Sequence, residues 1–206
     1  MKAMDPEPIR SPDTLRADRL PPGQRLTTKW PVLQHGAVHT LDAATWTLRI
    51  WGLVETERTL DFDTFTALPR VRVLSDIHCV TGWSRLDNLW EGVSTKVLCD
   101  LAHPHPQARF VMVYGAGGFS TNLRLDDFGQ DDVLLAFSHD SQPLSAEHGY
   151  PVRLVVPRLY FWKSAKWVQG IELIAEDRPG FWESYGYHNR GDPWKQQRFA
   201  SQSSRT

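Results

Sequence analysis

Apolar and polar positions alternate with a period of two over much of the chain, the spacing of strands with one buried face. In Thr45-Trp46-Thr47-Leu48-Arg49-Ile50 the alternation puts Trp46, Leu48 and Ile50 on one side. Val71, Val73, Ser75, Ile77 and Cys79 share a face if that run is extended. Phe110-Val111-Met112-Val113-Tyr114, Val133-Leu134-Leu135-Ala136-Phe137 and Val152-Arg153-Leu154-Val155-Val156 are short, nearly continuous apolar runs that read as buried strands. Trp167 to Ala175 reads as another. Helices are few and short. Asp61 caps one or two turns ending before Pro69, and Ser94 caps a helix whose apolar stripe is Val97, Leu98, Leu101 and Ala102. Many strands and few helices predict a β-rich α+β domain.

Composition narrows the class. The 206 residues favour one domain, over 29–198. Residues 1–28 hold five prolines and many charges and are expected to form a flexible N-terminal arm, and 199–206 a frayed tail. The 23 basic and 24 acidic residues leave a net charge of −1, which argues against a nucleic-acid partner. No apolar leader, twin-arginine pair or apolar run of the roughly 18 residues a membrane span needs is present, so a soluble, cytoplasmic protein is expected. The two cysteines, Cys79 and Cys99, cannot scaffold a domain of this size through disulfides, which fits a reducing compartment. Nine tryptophans are rigid aromatic surface for a core or for the walls around a large planar ligand.

Several common motifs are missing. Gly115-Ala116-Gly117-Gly118-Phe119-Ser120 fails the dinucleotide fingerprint at Ser120 and lacks the Gly-Lys-Ser/Thr of a phosphate loop. There is no Gly-x-Ser-x-Gly, no His-Glu-x-x-His and no Cys-x-x-Cys, hence no usual zinc or c-type haem spacing.

Three constellations carry chemistry. Asp76-Ile77-His78-Cys79-Val80-Thr81-Gly82-Trp83-Ser84-Arg85 is a strand entering a turn with Cys79 at its end. Locally, Cys79 reads as a nucleophile, as a ligand to a soft metal or as a small buried apolar side chain. His78 points to the opposite face if the strand is extended. The stretch from His148-Gly149-Tyr150-Pro151 through Arg153, Arg158, Lys163, Ser164 and Lys166 to Trp167 has four basic and no acidic residues between Pro151 and Gly170, which suits either a phosphate or a solvated face. Gln34-His35 sits at a corner before the first strand, placed either for a ligand's polar edge or as a plain turn. Asp126, Asp127, Asp131 and Asp132 form an acidic group, either a face for a basic redox protein or a solvated turn and helix cap.

In this order the three constellations resemble the molybdopterin-binding domain of the sulfite oxidase family, over roughly residues 30–195, and look most like its short, stand-alone bacterial sulfite oxidase-like oxidoreductases. The catalytic subunit of the periplasmic protein-methionine-sulfoxide reductase is also similar. The resemblance implies the sulfite oxidase-type fold, with mixed sheets and few short helices. It implies a molybdenum-molybdopterin cofactor, a single pyranopterin dithiolene with a terminal phosphate, without haem. By position, the metal ligand falls on Cys79. Cofactor contacts fall on Gln34, His35, Gly115, His148, Arg153, Lys163, Ser164 and Lys166. Cys99 matches no motif.

The implied activity is oxygen-atom transfer at an oxo-molybdenum centre, with a small oxo-donor or oxo-acceptor as substrate and a separate electron-transfer partner. Arg85 is the expected anion-attracting catalytic residue, and Trp83, Trp162 and Phe137 are expected to wall the pocket. Relative to sulfite oxidases proper, Gln34 stands near the place of an arginine, Phe137 in that of a tyrosine, and Gly82-Trp83-Ser84 intervenes before Arg85 where an Asn-Arg pair follows the ligand cysteine. A neutral Gln34 and a Phe137 without a hydroxyl weigh against sulfite. Two rivals stay open: a zinc-dependent hydrolase or lyase using Cys79 and histidines, and a non-catalytic pterin- or anion-binding module.

Overall fold

In the computed structural model, which describes residues 7–202, the strands assemble into two mixed sheets. The first runs β1 (Ile9–Arg10), β5 (Arg70–Cys79), β6 (Trp83–Ser94), β9 (Leu134–His139), β10 (Gln142–Pro143), with β2 (Arg25–Leu26) added to β6 and β11 (Arg153–Val155) added to β9. The second runs β4 (Arg58–Asp61), β3 (Thr47–Gly52), β12 (Val168–Ile174), β7 (Phe110–Gly115), β8 (Ser120–Arg124). The pairs β1/β5, β2/β6 and β3/β12 are parallel and the others antiparallel. Four short α-helices are present among the described residues: α1 (Phe62–Thr66), α2 (Thr95–Ala102), α3 (Leu125–Phe128) and α4 (Phe181–Ser184). The fold is therefore the expected β-rich α+β arrangement.

Local rules account for most elements. The Asp61 carboxylate accepts the Thr64 amide at 2.8 Å and the Ser94 hydroxyl that of Lys96 at 3.2 Å, capping α1 and α2. Trp46, Leu48 and Ile50 are buried together against Val111 and Val113 of β7, Ile171 and Leu173 of β12, and Leu98 and Ala102 of α2. Each valine, leucine or isoleucine among them contributes about 1.5–3 kcal/mol on full burial. A second cluster holds Val73, Ile77, Cys79, Trp83 and Trp90. Neighbours on β9 and β11 divide between the clusters, Leu135 and Leu154 in the first and Leu134 and Val155 in the second. Both faces of these strands are covered, which explains their unbroken apolar runs.

Four features differ from the pattern-based expectation. Residues 7–28 do not form a loose arm: β1 and β2 join the first sheet, and Arg19 makes a two-pronged contact with Asp76 at 3.0 and 2.6 Å. Proline leaves edge pairing available, and Pro12 opens a 3-10 turn over Pro12–Leu15. At the other end, Phe199 bridges to Tyr187 and residues 200–202 form a 3-10 turn, whereas the rest of the expected tail lies outside the described residues. The longest strand, β6, is hidden in the sequence by its polar residues. They are satisfied inside the fold, where Asn88 donates to the carbonyls of Ser75 and Arg85. The even alternation of β5 breaks at a bulge between Ser75 and Ile77, and Asp76 is buried there on Arg19.

Candidate active site

β5 ends at Cys79, and the chain reverses through Gly82, whose amide donates to the Cys79 carbonyl at 3.0 Å. Gly82 has φ +93°, a value that favours glycine. The turn points the Cys79 thiol, 8% exposed, into a cleft of about 290 Å³. Cys79 Sγ lies 3.2 Å from Thr81 Oγ1. Burial raises the thiol pKa, opposed by hydrogen bonds from Thr81 and by the charge of Arg198. Among the described residues the sulfur's hydrogen-bond partner is Thr81 rather than a base that would activate it as a nucleophile, whereas a metal ion deprotonates a thiol outright.

The basic run does not act as one field. Arg158 pairs with Asp132 at 3.3 Å, and Lys163, wholly buried, pairs with Glu183 at 2.6 Å. Lys163 Nζ also donates to Asn122 Oδ1 and to the Asn122 carbonyl, both at 2.8 Å. Arg153 and Lys166 are left to the cleft. Arg153, 1% exposed, donates to the carbonyls of His148 (2.8 Å) and Ser164 (3.0 Å), lies 4.3 Å from the Phe161 ring, and has a buried Nε without a partner. Its burial lowers the guanidinium pKa to about 9. Lys166 Nζ donates to Gln34 Oε1 at 3.0 Å and to the Glu147 carbonyl at 2.5 Å, and burial followed by Arg153's charge lowers it to about 7. His148 stacks on Trp30 at 3.7 Å, and burial, then Arg153, lowers it to about 4. Among the described residues no carboxylate lines the cleft. Desolvated, mutually repelling cations, offset by the charge of Glu147 on Lys166 but by no carboxylate in the described lining, make this end complementary to an anion.

Aromatic rings wall the remainder. Trp83 and Trp162 line the cleft as expected. Trp162 meets Tyr187 edge-on at 5.1 Å, and Tyr187 stacks on Trp182 at 5.1 Å. His35 lies 4.6 Å from Phe181.

The family model of the oxidoreductase molybdopterin binding domain matches residues 35–182. The chain belongs to this family. It is 49% identical over 185 residues, 89% of its length and 93% of the relative's, to the uncharacterized oxidoreductase YuiH of Bacillus subtilis. It is 29% identical over 151 residues to a putative protein-methionine-sulfoxide reductase subunit, YedZ1, of Azospira oryzae, spanning 73% of this chain and 57% of that one. The sulfane dehydrogenase SoxCD of Paracoccus pantotrophus shares the fold, with a TM-score of 0.65 and 22% identity over 85% of this chain and 50% of that one.

Molybdopterin is the cofactor of this family, and the cleft fits it: the partnerless Arg153 Nε and the Lys166 ammonium suit its phosphate, the rings its planar body, and the Cys79 thiol a soft metal. Gln34, His35, His148, Arg153, Ser164 and Lys166 all line the cleft. Ser164 Oγ accepts the Val156 amide at 3.0 Å and fixes the turn. Gly115 stands just outside the lining, with Ala116 and Gly117 inside it. A Cβ at Gly115 would lie 2.4 Å from the Lys166 carbonyl oxygen, so glycine lets the two segments close.

Three expected site residues lie elsewhere. Lys163 is consumed by Glu183 and Asn122. Arg85 donates to Asp140 Oδ2 at 2.7 Å, contacts His139 and Asn88, and does not line the cleft. Phe137 packs under Arg70 and does not face the site. The acidic group is also spent internally, as Asp126 pairs with Arg124, Asp127 with Arg190, Asp131 with Lys96 and Asp132 with Arg158. Among the described residues no three His, Cys, Asp or Glu side chains gather to hold a metal, so the zinc reading has no site. Also among the described residues, no helix is long and apolar enough to cross a membrane.

Sequence reasoning missed Trp30, Thr81, Trp182 and Tyr187. The aromatic density of Phe181-Trp182-Glu183-Ser184-Tyr185-Gly186-Tyr187 was the available signal for the last two.

A pH dependence follows from Lys166. Its folded pKa, about 7, lies below the 10.5 of the unfolded chain. Between those values the unfolded state binds more protons, so the stability of the cofactor-free protein is expected to rise with pH from about 7 to 10.5. Cofactor affinity is expected to fall over the same range, because an anion favours the protonated amine. Lys166→Met should flatten both trends, read by thermal melts and equilibrium binding across pH.

Proposed function

We propose that this chain is a molybdopterin-dependent oxidoreductase that transfers an oxygen atom to or from a small neutral substrate, with Cys79 as the protein ligand of the metal. The observation that carries the reading is one thiol opening into an aromatic cleft whose cations gather around Arg153 with no carboxylate among them. When bound, the cofactor supplies a metal that changes by two electrons as an oxygen atom is exchanged. Arg153 and Lys166 anchor the phosphate, and His148, kept neutral by burial, packs beside them without adding charge. Thr81 donates toward the thiolate.

Substrate preference follows from where the charges go. Arg153 and Lys166 are committed to the phosphate, and Arg85 is tied to Asp140. The cleft residues named beside Cys79 are uncharged: Thr81 lies 3.2 Å from the sulfur, and Trp162 and Tyr187 share the lining, the Tyr187 hydroxyl keeping its proton because burial raises its pKa. This favours an uncharged organic oxide over sulfite, in line with the sulfoxide reductases among the similar chains. Reduction of a sulfoxide consumes two electrons and two protons and yields the thioether and water. A separate protein would deliver the electrons in the cell.

The test is a dye-linked assay with reduced viologen as electron donor and sulfoxides, N-oxides and nitrate as acceptors, and with ferricyanide as oxidant for sulfite. Turnover of neutral oxides at least about tenfold above that of the anions is expected, a difference of about 1.4 kcal/mol. Sulfite or nitrate as the best substrate would refute the neutral preference. Loaded protein that turns over none of them would favour the non-catalytic binding module.

A further inference from the structure

The turn carrying Cys79 is held from behind by both ends of the chain. The Cys79 carbonyl, besides accepting the Gly82 amide, accepts Gln24 Nε2 at 3.0 Å. Gln24 Oε1 in turn accepts from Ser84 Oγ at 3.4 Å, on the strand that leaves the turn. The Gly82 carbonyl accepts the Arg25 amide at 3.0 Å. From the opposite terminus, Arg198 Nη1 donates to the Val80 carbonyl and Nη2 to the Gly23 carbonyl at 3.4 Å, with the guanidinium 5.0 Å over the Tyr160 ring. Three carbonyls of one four-residue turn thus take donors from residues 24, 25 and 198, all outside the 35–182 span of the family domain. A glycine-containing turn restrained only by its own amide is soft, and the direction of its side chains depends on what fixes its peptide planes.

We infer that Gln24 and Arg198 are positioning residues that lock the Cys79–Gly82 turn, and through it set the direction of the sulfur assigned to the metal. The inference rests on the proposed role of Cys79. Neither side chain lines the cleft, so both act through the backbone. Arg198 also places a positive charge near the sulfur, which favours the thiolate. Gly23 matches this arrangement: at φ +72° it leaves room for the guanidinium, whose Nη2 would lie 3.3 Å from an added Cβ.

The test uses Gln24→Leu, Arg198→Met and Arg198→Lys, each with Cys99→Ser so that Cys79 is the one thiol counted. In cofactor-free protein, Cys79 is expected to react with an aromatic disulfide reagent about tenfold faster in Gln24→Leu than in the parent, and faster by a smaller factor in Arg198→Met, where loss of the charge also lowers the thiolate fraction. Arg198→Lys, which keeps the charge and one donor, is expected to recover most of the parent rate. In loaded protein the same two variants should shift the molybdenum EPR spectrum while the thermal midpoint stays within a few degrees. Should Arg198→Met not fold, Gln24→Leu alone carries the test. Parent reaction rates together with a parent spectrum would overturn the inference. Cys79→Ala measured alongside separates the two levels: if it alters the spectrum and the flanking variants do not, only the positioning role fails. If Cys79→Ala also leaves the spectrum unchanged, the assignment of Cys79 fails with it.

Discussion

Replacing Cys79 by alanine is expected to reduce turnover below about 1% of the parent, change the metal's spectrum, and leave pterin bound. The expected loss exceeds the roughly 10–100-fold of disturbing a partner outside the coordination sphere, because the residue removed touches the metal itself. Pterin should stay because its anchors sit elsewhere: the cations around Arg153 make no contact with the Cys79 sulfur. The scaffold should also survive. Cys79 packs in the smaller cluster with Val73, Ile77 and Trp83, and a cysteine-to-alanine change there leaves only a small void. Activity, optical or EPR spectra and pterin fluorescence after denaturation check the three parts. Parent activity in the variant would remove Cys79 from the coordination sphere.

The second large effect belongs to Arg153. Arg153→Met keeps most of the side-chain volume beside Phe161 and Trp30 but deletes a desolvated cation. Losing one partner of a buried charge pair costs about 2–5 kcal/mol in binding, so cofactor affinity is expected to fall roughly 30- to 5,000-fold. The cofactor-free protein responds differently. It loses two hydrogen bonds, to the His148 and Ser164 carbonyls, but is relieved of an uncompensated buried charge, so its thermal midpoint should change far less than its affinity. Titration of cofactor into the apo variant reads the first quantity and calorimetry the second. Undiminished cofactor retention would show that the phosphate lies away from Arg153.

What was legible in the sequence was local. The caps at Asp61 and Ser94, the face of Trp46, Leu48 and Ile50, and the apolar runs of β7, β9, β11 and β12 follow from side-chain period and capping chemistry, which need no distant partner. The cysteine turn, Gln34-His35 and His148 to Lys166 also reached the cleft in order, since contiguous motifs carry their own geometry. The failures share one cause, pairing across sequence distance. Lys163 is 20 positions from Glu183 and 41 from Asn122, and nothing nearby in the chain shows that its charge is spoken for. Arg85 is removed from the site by Asp140, 55 positions on. β6 was obscured because its buried polar residues look solvent-facing until their partners are known. The same holds for residues 7–28, whose order depends on the edges of β5 and β6.

The most direct measurement is the molybdenum and pterin content of three proteins purified in parallel from a host that makes the cofactor: the parent, Cys79→Ala and Arg153→Met. The expected result is close to one molybdenum and one pterin per chain in the parent, pterin retained in Cys79→Ala, and both largely lost from Arg153→Met. A parent protein saturated with zinc and free of molybdenum and pterin would contradict the account.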